Sequence, residues 1–308
     1  MSIAVACEAF IKEITPFLSP GQIERQEPME RHTTFRVGGV ADCVVYPTTA
    51  EDVRRILSLT ARYGLPLTVM GNGSNILVRD KGIRGVVLIF GKPAAYIKRR
   101  GMRLIVGAGT LLSALAQNAL QEGLSGLEFA AGIPGSLGGA VFMNAGAYGC
   151  EMKQIVTRIT ALDGAGKTIE YAPEEAQFGY RTSIFQENQH IICEAEVSLT
   201  KGDPGEIRAA MEALNDRRRQ KQPLEYPSAG STFKRPPGYF AGTLIDETGL
   251  KGLSIGGAQV SEKHAGFIIN RGGATADDIL ALISEVQRRV FEARGIKLIP
   301  EVRIVGEG

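Results

Sequence analysis

Cysteine is scarce in this chain, and the four present, Cys7, Cys43, Cys150 and Cys193, lie far apart with no C-x-x-C pair. Neither a disulfide framework nor a zinc site is indicated by that spacing. Histidine is scarcer: His32, His190 and His264 are scattered along the chain, which argues against a dedicated transition-metal centre, so no metal is expected. Redox chemistry, if any, has to come from an organic cofactor. Long apolar runs are missing too. No stretch approaches the roughly 18 residues that a membrane span needs, and the opening MSIAVACEAFIKEI carries acidic residues, unlike a secretory leader. The expectation is a cytoplasmic protein with no membrane association. Nor does one sign of charge dominate. With 35 basic and 33 acidic residues the formal net charge is +2, without the basic excess of a phosphate-tracking surface, so no nucleic-acid partner is expected.

Glycine is what the chain has in plenty, 38 of 308 residues, or about 12%, against a usual ~7%. Only 14 prolines accompany it and no G-x-y period runs through it, so it is not collagenous. A 44% hydrophobic and 22% charged composition is that of a chain with a real core, not a linker. At ~150 residues per domain the length allows about two domains, or three small ones.

Hydrophobic spacing and breakers predict mixed α+β structure. An amphipathic helix broken near Pro16 and Pro20 leads into a polar connector. A strand over 41–47 precedes a helix capped by Thr49 with Asp52 in the capping-box position, burying Val53, Ile56, Leu57 and Thr60 and stopping at Gly64. Leu67–Met70 is a second strand, completing a βαβ-like unit. Further strands are read at 86–90 and 104–106. A helix starts at Thr110 and buries Leu111, Leu115, Ala119 and Leu120. Strands near 155–162, 167–171 and 191–199 and a helix over about 206–219 follow. Pro223, Pro227, Pro236 and Pro237 mark an extended segment. Strands near 253–260 and 265–270 come next, then a long helix capped by Thr275 and Asp278 and stopped by Gly295. No internal repeat is present, which excludes a solenoid.

Nine of the 38 glycines lie in two stretches. Gly71-Asn72-Gly73-Ser74-Asn75 leaves a strand and can turn its backbone N–H groups toward a phosphate. It is not a P-loop, lacking the Lys-Ser/Thr pair, and Ile76 breaks the G-x-G-x-x-G pattern. The second is GLEFAAGIPGSLGGAVFMNAGAYG, residues 126–149, in which Gly132, Ile133, Pro134, Gly135 and Ser136 form a turn. A short helix through Gly138, Gly139 and Ala140 is expected to follow, with its N-terminal amides facing an anion. Two such loops without a lysine suit a dinucleotide pyrophosphate. On the residues alone, an ordinary glycine turn at 71–75 and close packing without a ligand at 132–140 stay open. Gly107-Ala108-Gly109-Thr110 is a third, weaker candidate.

These segments, taken with ThrThrPheArgValGlyGly (33–39), GYRTSIF (179–185), AGSTFKRP (229–236) and PEVR (300–303), closely resemble in order the UDP-N-acetylenolpyruvoylglucosamine reductases, the MurB family. The resemblance spans residues 30–305. It implies a PCMH/vanillyl-alcohol-oxidase-type FAD domain of two α+β subdomains, with a further α+β domain that binds substrate. The corresponding stretches here are 1–100 with the N-terminal helix, 101–203, and 204–308. QPLEYPSAGSTF is similar to the shorter family type, which lacks a tyrosine-bearing loop over the substrate.

The implied activity is NADPH-dependent reduction of UDP-N-acetylglucosamine enolpyruvate to UDP-N-acetylmuramate for peptidoglycan precursors, through non-covalently bound FAD, in a monomer or weak oligomer. A hydride from flavin N5 reaches C3, so a donor is needed for the developing enolate and a proton for C2. The resemblance assigns the proton to Ser231, and the carboxylate and enolate to Arg181 and Glu301. It assigns substrate contacts to Tyr180, Lys221, Arg235 and His264, and FAD to the loops 71–75 and 132–140. Arg235 and His264 depart from the residues the family usually has at those places. A basic cluster at 217–235 (Arg217, Arg218, Arg219, Lys221, Lys234, Arg235) suits a diphosphate and a carboxylate. Close backbone approach to FAD then accounts for Gly71, Gly73, Gly107, Gly109, Gly132, Gly135, Gly138, Gly139, Gly146 and Gly149. The competing readings are a covalently flavinylated oxidase of the same fold and a non-catalytic nucleotide-binding protein.

Overall fold

The structure is a computed structural model that describes residues 2–308. The chain forms two compact units. One holds the N-terminal residues up to Arg25 with Asp42–Asn72 and Gly85–Arg217; the other holds Gln26–Ala41, Gly73–Arg84 and Arg218–Gly308. Each unit is therefore built from non-contiguous segments, whereas the stretches 1–100, 101–203 and 204–308 are contiguous.

The first unit contains two cores. In one, α1 (Ile3–Ile14) buries Ala6, Cys7, Phe10, Ile11 and Ile14, the spacing of one helical face. It packs against α2 (Ala50–Tyr63), whose capping box between Thr49 and Asp52 is present and whose end is Gly64 in left-handed conformation, φ 62°. Val53, Ile56 and Thr60 are buried as predicted, but Leu59 is buried in place of Leu57, which is partly exposed. The polar connector predicted after α1 is in part a strand, β1 (Ile23–Pro28). With β2 (Val40–Val45), β3 (Leu67–Met70) and β5 (Ile83–Ile89) it makes a sheet ordered β1-β2-β5-β3. β5 thus lies between the two strands read as one βαβ unit, and β3 pairs with it in parallel from Leu67↔Val86 to Met70↔Ile89. The short strand β4 (Ile76–Val78) belongs to the other unit.

The second core backs an antiparallel five-stranded sheet. Its order is Thr168–Tyr171, Val156–Leu162, Ile191–Ser198, β7 (Arg103–Gly107) and β6 (Ile97–Arg100). Leu104, Val106, Ile159, Ala195 and Val197 from the sheet meet Leu112, Leu115, Ala119 and Leu120 from α3 (Leu112–Gln121) and Leu137 and Val141 from α4 (Leu137–Phe142). The α3 helix begins later than its sequence suggests. Leu111 is its N-cap and is 42% exposed, while Thr110 spends its hydroxyl on the backbone N–H and carbonyl of Tyr96. The unit also contains the short helix α5 (Phe185–Asn188) and most of α6 (Pro204–Lys221).

In the other unit, α7 (Ala241–Glu247) and α8 (Ala276–Arg294) pack with the antiparallel strands Ser254–Ile255, Ala258–Val260 and Ile268–Asn270. The α8 helix has the predicted Thr275/Asp278 box and ends at Gly295, φ 68°. It buries Ile279, Leu282, Ile283, Val286 and Val290 against Phe35, Val37, Leu77 and Phe233 of the same core. β4 pairs in parallel with Arg303–Val305. Among the described residues no helix is long and apolar enough to cross a membrane.

Candidate functional site

The loop 71–75 is divided by the unit boundary after Asn72. Its first half faces the second glycine stretch: a Cβ on Gly71 would stand 2.2 Å from Ser136 Oγ, and Asn72 Nδ2 donates to Pro134 O at 2.6 Å. Its second half is held within the other unit. Gly73 (φ 61°) leaves only 1.9 Å between a would-be Cβ and His32 O, and its carbonyl accepts the Thr34 N–H. Asn75 closes the loop, with Nδ2 donating to Glu301 O and its carbonyl accepting Arg303 N–H.

Ser136, N-cap of α4, makes no side-chain cap bond, and its buried Oγ has no hydrogen-bond partner. A buried hydroxyl left unpaired costs about 1–3 kcal/mol, so this orphaned atom beside Gly71 and Gly139 fits the approach of a polar ligand atom. Two of the amides expected to face an anion are used within the fold. Leu137 N–H is taken by Thr110 O at 2.8 Å and Gly138 N–H by Ala108 O at 2.9 Å, because the turn is stitched onto the residues ahead of α3. Gly139 is exposed, Gly132 and Gly135 are half-buried, and Ile133 packs on the core. Gly107 and Gly109 answer to packing. Added Cβ atoms there would meet Ala94 O at 2.4 Å and Gly91 O at 2.2 Å.

Arg181 sits in the turn 179–182, closed by Gly179 N–H to Thr182 O at 3.1 Å. Its backbone is left-handed, φ 55°, an uncommon state for a residue with a Cβ. Its Nη2 donates to Gly146 O at 2.8 Å, and its guanidinium lies 5.4 Å from the ring centroid of exposed Tyr180. Two partners went unnoticed in the sequence. Asn144, fully buried and itself at φ 41°, donates from Nδ2 to Gly179 O, and Gln186 Nε2 donates to Arg181 O. The Asn two residues before Gly146 is the legible signal, since Asn tolerates positive φ better than most residues.

Ser231 and Glu301, distant in sequence, come together in the other unit. An antiparallel bridge pairs Phe233 with Pro300, and Glu301 N–H donates to Thr232 O at 2.8 Å. Thr232 is buried and pinned, its N–H on Gly266 O and its hydroxyl accepting Ile268 N–H. Gly230 (φ 75°) turns the chain so that Ser231 is exposed beside this anchor.

The basic cluster is dispersed by local use. Arg217 lies over the Tyr148 ring in the first unit. In the other, Arg218 donates to Gln222, Arg219 O accepts from Lys263, and Arg235 stacks 4.4 Å from the Phe240 centroid, while Lys221 is exposed. His264 accepts Gly266 N–H on Nδ1 and packs edge-on to Phe267. Burial pushes its pKa below the usual histidine value, and the charges of Lys251 and Lys221 act in the same direction.

Residues 41–172 match the model of an FAD binding domain, and residues 222–305 that of the UDP-N-acetylenolpyruvoylglucosamine reductase C-terminal domain. The UDP-N-acetylenolpyruvoylglucosamine reductase of Caldanaerobacter subterraneus subsp. tengcongensis is 48% identical over 97% of this chain and 99% of its own. That of Syntrophomonas wolfei is 50% identical over 96% and 99%. The crystal structure of the reductase from Thermus caldophilus superposes with a TM-score of 0.81 at 38% identity, covering 92% of this chain and 99% of that one. Over nearly its full length, the chain belongs to the UDP-N-acetylenolpyruvoylglucosamine reductase (MurB) family.

Proposed function

We propose that this protein reduces the enolpyruvyl double bond of UDP-N-acetylglucosamine enolpyruvate to the lactyl ether of UDP-N-acetylmuramate, a peptidoglycan precursor, with NADPH as reductant and FAD as non-covalent cofactor. The observation that carries the reading is the pairing of Thr232 and Phe233, next to Ser231, with Glu301 and Pro300, in a chain about half identical to reductases of that name. FAD would be held by the loops 71–75 and 132–140, where the unpartnered Ser136 hydroxyl between close-approaching glycines suits a ligand's polar atom. When bound, FAD supplies the hydride that it takes from NADPH.

Addition of hydride to C3 leaves an electron pair at C2, conjugated to the carboxylate. Ser231 donates its hydroxyl proton to C2. A carbanion-like acceptor makes an ordinary serine acid enough, so nothing has to lower its pKa. Arg181 holds the carboxylate and the charge that develops on it, and Glu301 completes this polarisation. Tyr180, Lys221, Arg235 and His264 contact the remainder of the substrate. Burial lowers the His264 pKa and so favours its neutral form.

Anaerobic half-reactions test this. The purified protein is expected to show a visible flavin spectrum that NADPH bleaches and UDP-N-acetylglucosamine enolpyruvate restores. A protein that cannot bind FAD, or a reduced flavin that this substrate leaves reduced, overturns the proposal.

A further inference from the structure

The downstream half of the second glycine stretch does something other than approach a cofactor. Residues 142–146 hold the segment that carries Arg181 through four hydrogen bonds, and Gln186 adds a fifth within that segment. Phe142 O accepts from Ser183 Oγ at 2.7 Å and from Gln186 Nε2 at 3.1 Å. Asn144 Nδ2 donates to Gly179 O at 2.9 Å. Gly146 O accepts from Arg181 Nη2 at 2.8 Å. Gln186 Nε2 also reaches Arg181 O at 3.0 Å. Asn144 is itself fixed from two sides, its Nδ2 on Glu151 Oε2 at 3.1 Å and its Oδ1 accepting Lys153 N–H at 3.0 Å. It is completely buried, and Ser183 is 2% exposed.

Both ends of this grip sit in the left-handed region, Asn144 at φ 41° and Arg181 at φ 55°. A non-glycine residue there costs on the order of 1–3 kcal/mol and persists only where its surroundings over-determine it. At Arg181 the surroundings that do so are the side chains of Asn144 and Gln186. Gly146 is required by the same construction, since a Cβ there would stand 2.5 Å from Cys150 O and 2.6 Å from Glu151 Cγ. We infer that Asn144 and Gln186 are positioning residues for Arg181: they fix its strained backbone and, with Gly146 O, aim its guanidinium at the substrate carboxylate. The inference rests on the catalytic role proposed above for Arg181.

The test is a double-mutant cycle in the FAD-loaded protein. Gln186→Met keeps the shape and removes the donors to Phe142 O and Arg181 O; Asn144→Asp keeps the shape, removes the donors to Gly179 O and Glu151 Oε2, and sets a carboxylate against Glu151. Each is expected to slow reoxidation of reduced flavin by UDP-N-acetylglucosamine enolpyruvate by about ten- to a hundredfold, with flavin content and the rate of reduction by NADPH unchanged. In an Arg181→Ala background the same substitutions should slow it no further. Independently of turnover, hydrogen exchange of the 179–182 amides should rise several-fold in Gln186→Met.

If the losses multiply with that of Arg181→Ala, or exchange at 179–182 is unchanged, the positioning role is overturned while the reading of Arg181 stands. If Arg181→Ala itself reoxidises at the normal rate, the catalytic reading of Arg181 falls, and the positioning role with it. Should Asn144→Asp fail to retain FAD, Gln186→Met, at a half-buried site, carries the cycle alone.

Discussion

Gly71 and Gly73 stand two positions apart in one loop and resist substitution for different reasons. Alanine at Gly73 meets a backbone carbonyl, His32 O, at 1.9 Å and has to adopt φ 61°. Neither obstacle can move cheaply, so Gly73→Ala is expected to lose at least about 2 kcal/mol of stability, read as a lowered Tm with or without FAD. Alanine at Gly71 meets a side-chain atom instead, Ser136 Oγ at 2.2 Å. Gly71→Ala should lower both Tm and flavin retention. Adding Ser136→Ala should recover much of the Tm without restoring flavin affinity, as thermal melts and flavin titration would show. At Ser231 the expectation concerns chemistry. Because its neighbour Thr232 carries the anchoring bonds, Ser231→Ala should leave folding and NADPH-dependent flavin reduction nearly intact. It should slow flavin reoxidation by substrate by a factor on the order of 10²–10⁴. Equal damage to both half-reactions would remove Ser231 from the proton-donor role.

At the scale of single elements, α8 shows how a helix signal in sequence acquires tertiary duties. Thr275 and Asp278 form the box that the sequence predicts, yet Asp278 Oδ2 also accepts Gly257 N–H at 3.2 Å, and Asp80 accepts the N–H groups of Ala276 and Asp277. The Thr275 and Gly257 backbone N–H groups hold the Asp278 carboxyl below the usual carboxylate range. A depressed folded pKa contributes stability at pH values above the unfolded pKa of about 3.9, and that contribution is lost as pH falls through the folded value. Asp278→Asn should therefore melt below the wild type at neutral pH, with the gap closing below about pH 4. Thr275→Ala should cost about 1 kcal/mol; an unchanged Tm in both would show the cap to be dispensable. The α4 helix is the opposite case. Its start was legible from Pro134 and Ser136, but the use of its amides was not, because Ala108 O and Thr110 O reach them from a part of the chain that no local pattern links to it.

At the scale of the whole molecule, the non-contiguous units lead to a direct prediction. The matched C-terminal segment, residues 222–305, looks like a self-contained domain in sequence. Yet the core of its unit takes Phe35, Val37 and Leu77 from elsewhere, and Arg303–Val305 pairs with Ile76–Val78. A fragment of residues 218–308 lacks those partners and should be unfolded or molten by circular dichroism and amide dispersion. A cooperative melt of the fragment would contradict this.

By itself the sequence determined the helices with caps and breakers, the mixed α+β composition, the two glycine stretches and the residue types of the candidate site, since each depends on neighbours within a turn or two. It also carried the family, through motifs in a fixed order. Only the tertiary structure decided that β5 lies between β2 and β3, that Leu59 and not Leu57 is buried, that Gly107, Gly109 and Gly146 serve packing, and that Asn144 and Gln186 grip Arg181. Those outcomes depend on which distant backbone carbonyl or strand edge arrives at a residue, and periodicity, which records only near neighbours, holds no trace of that.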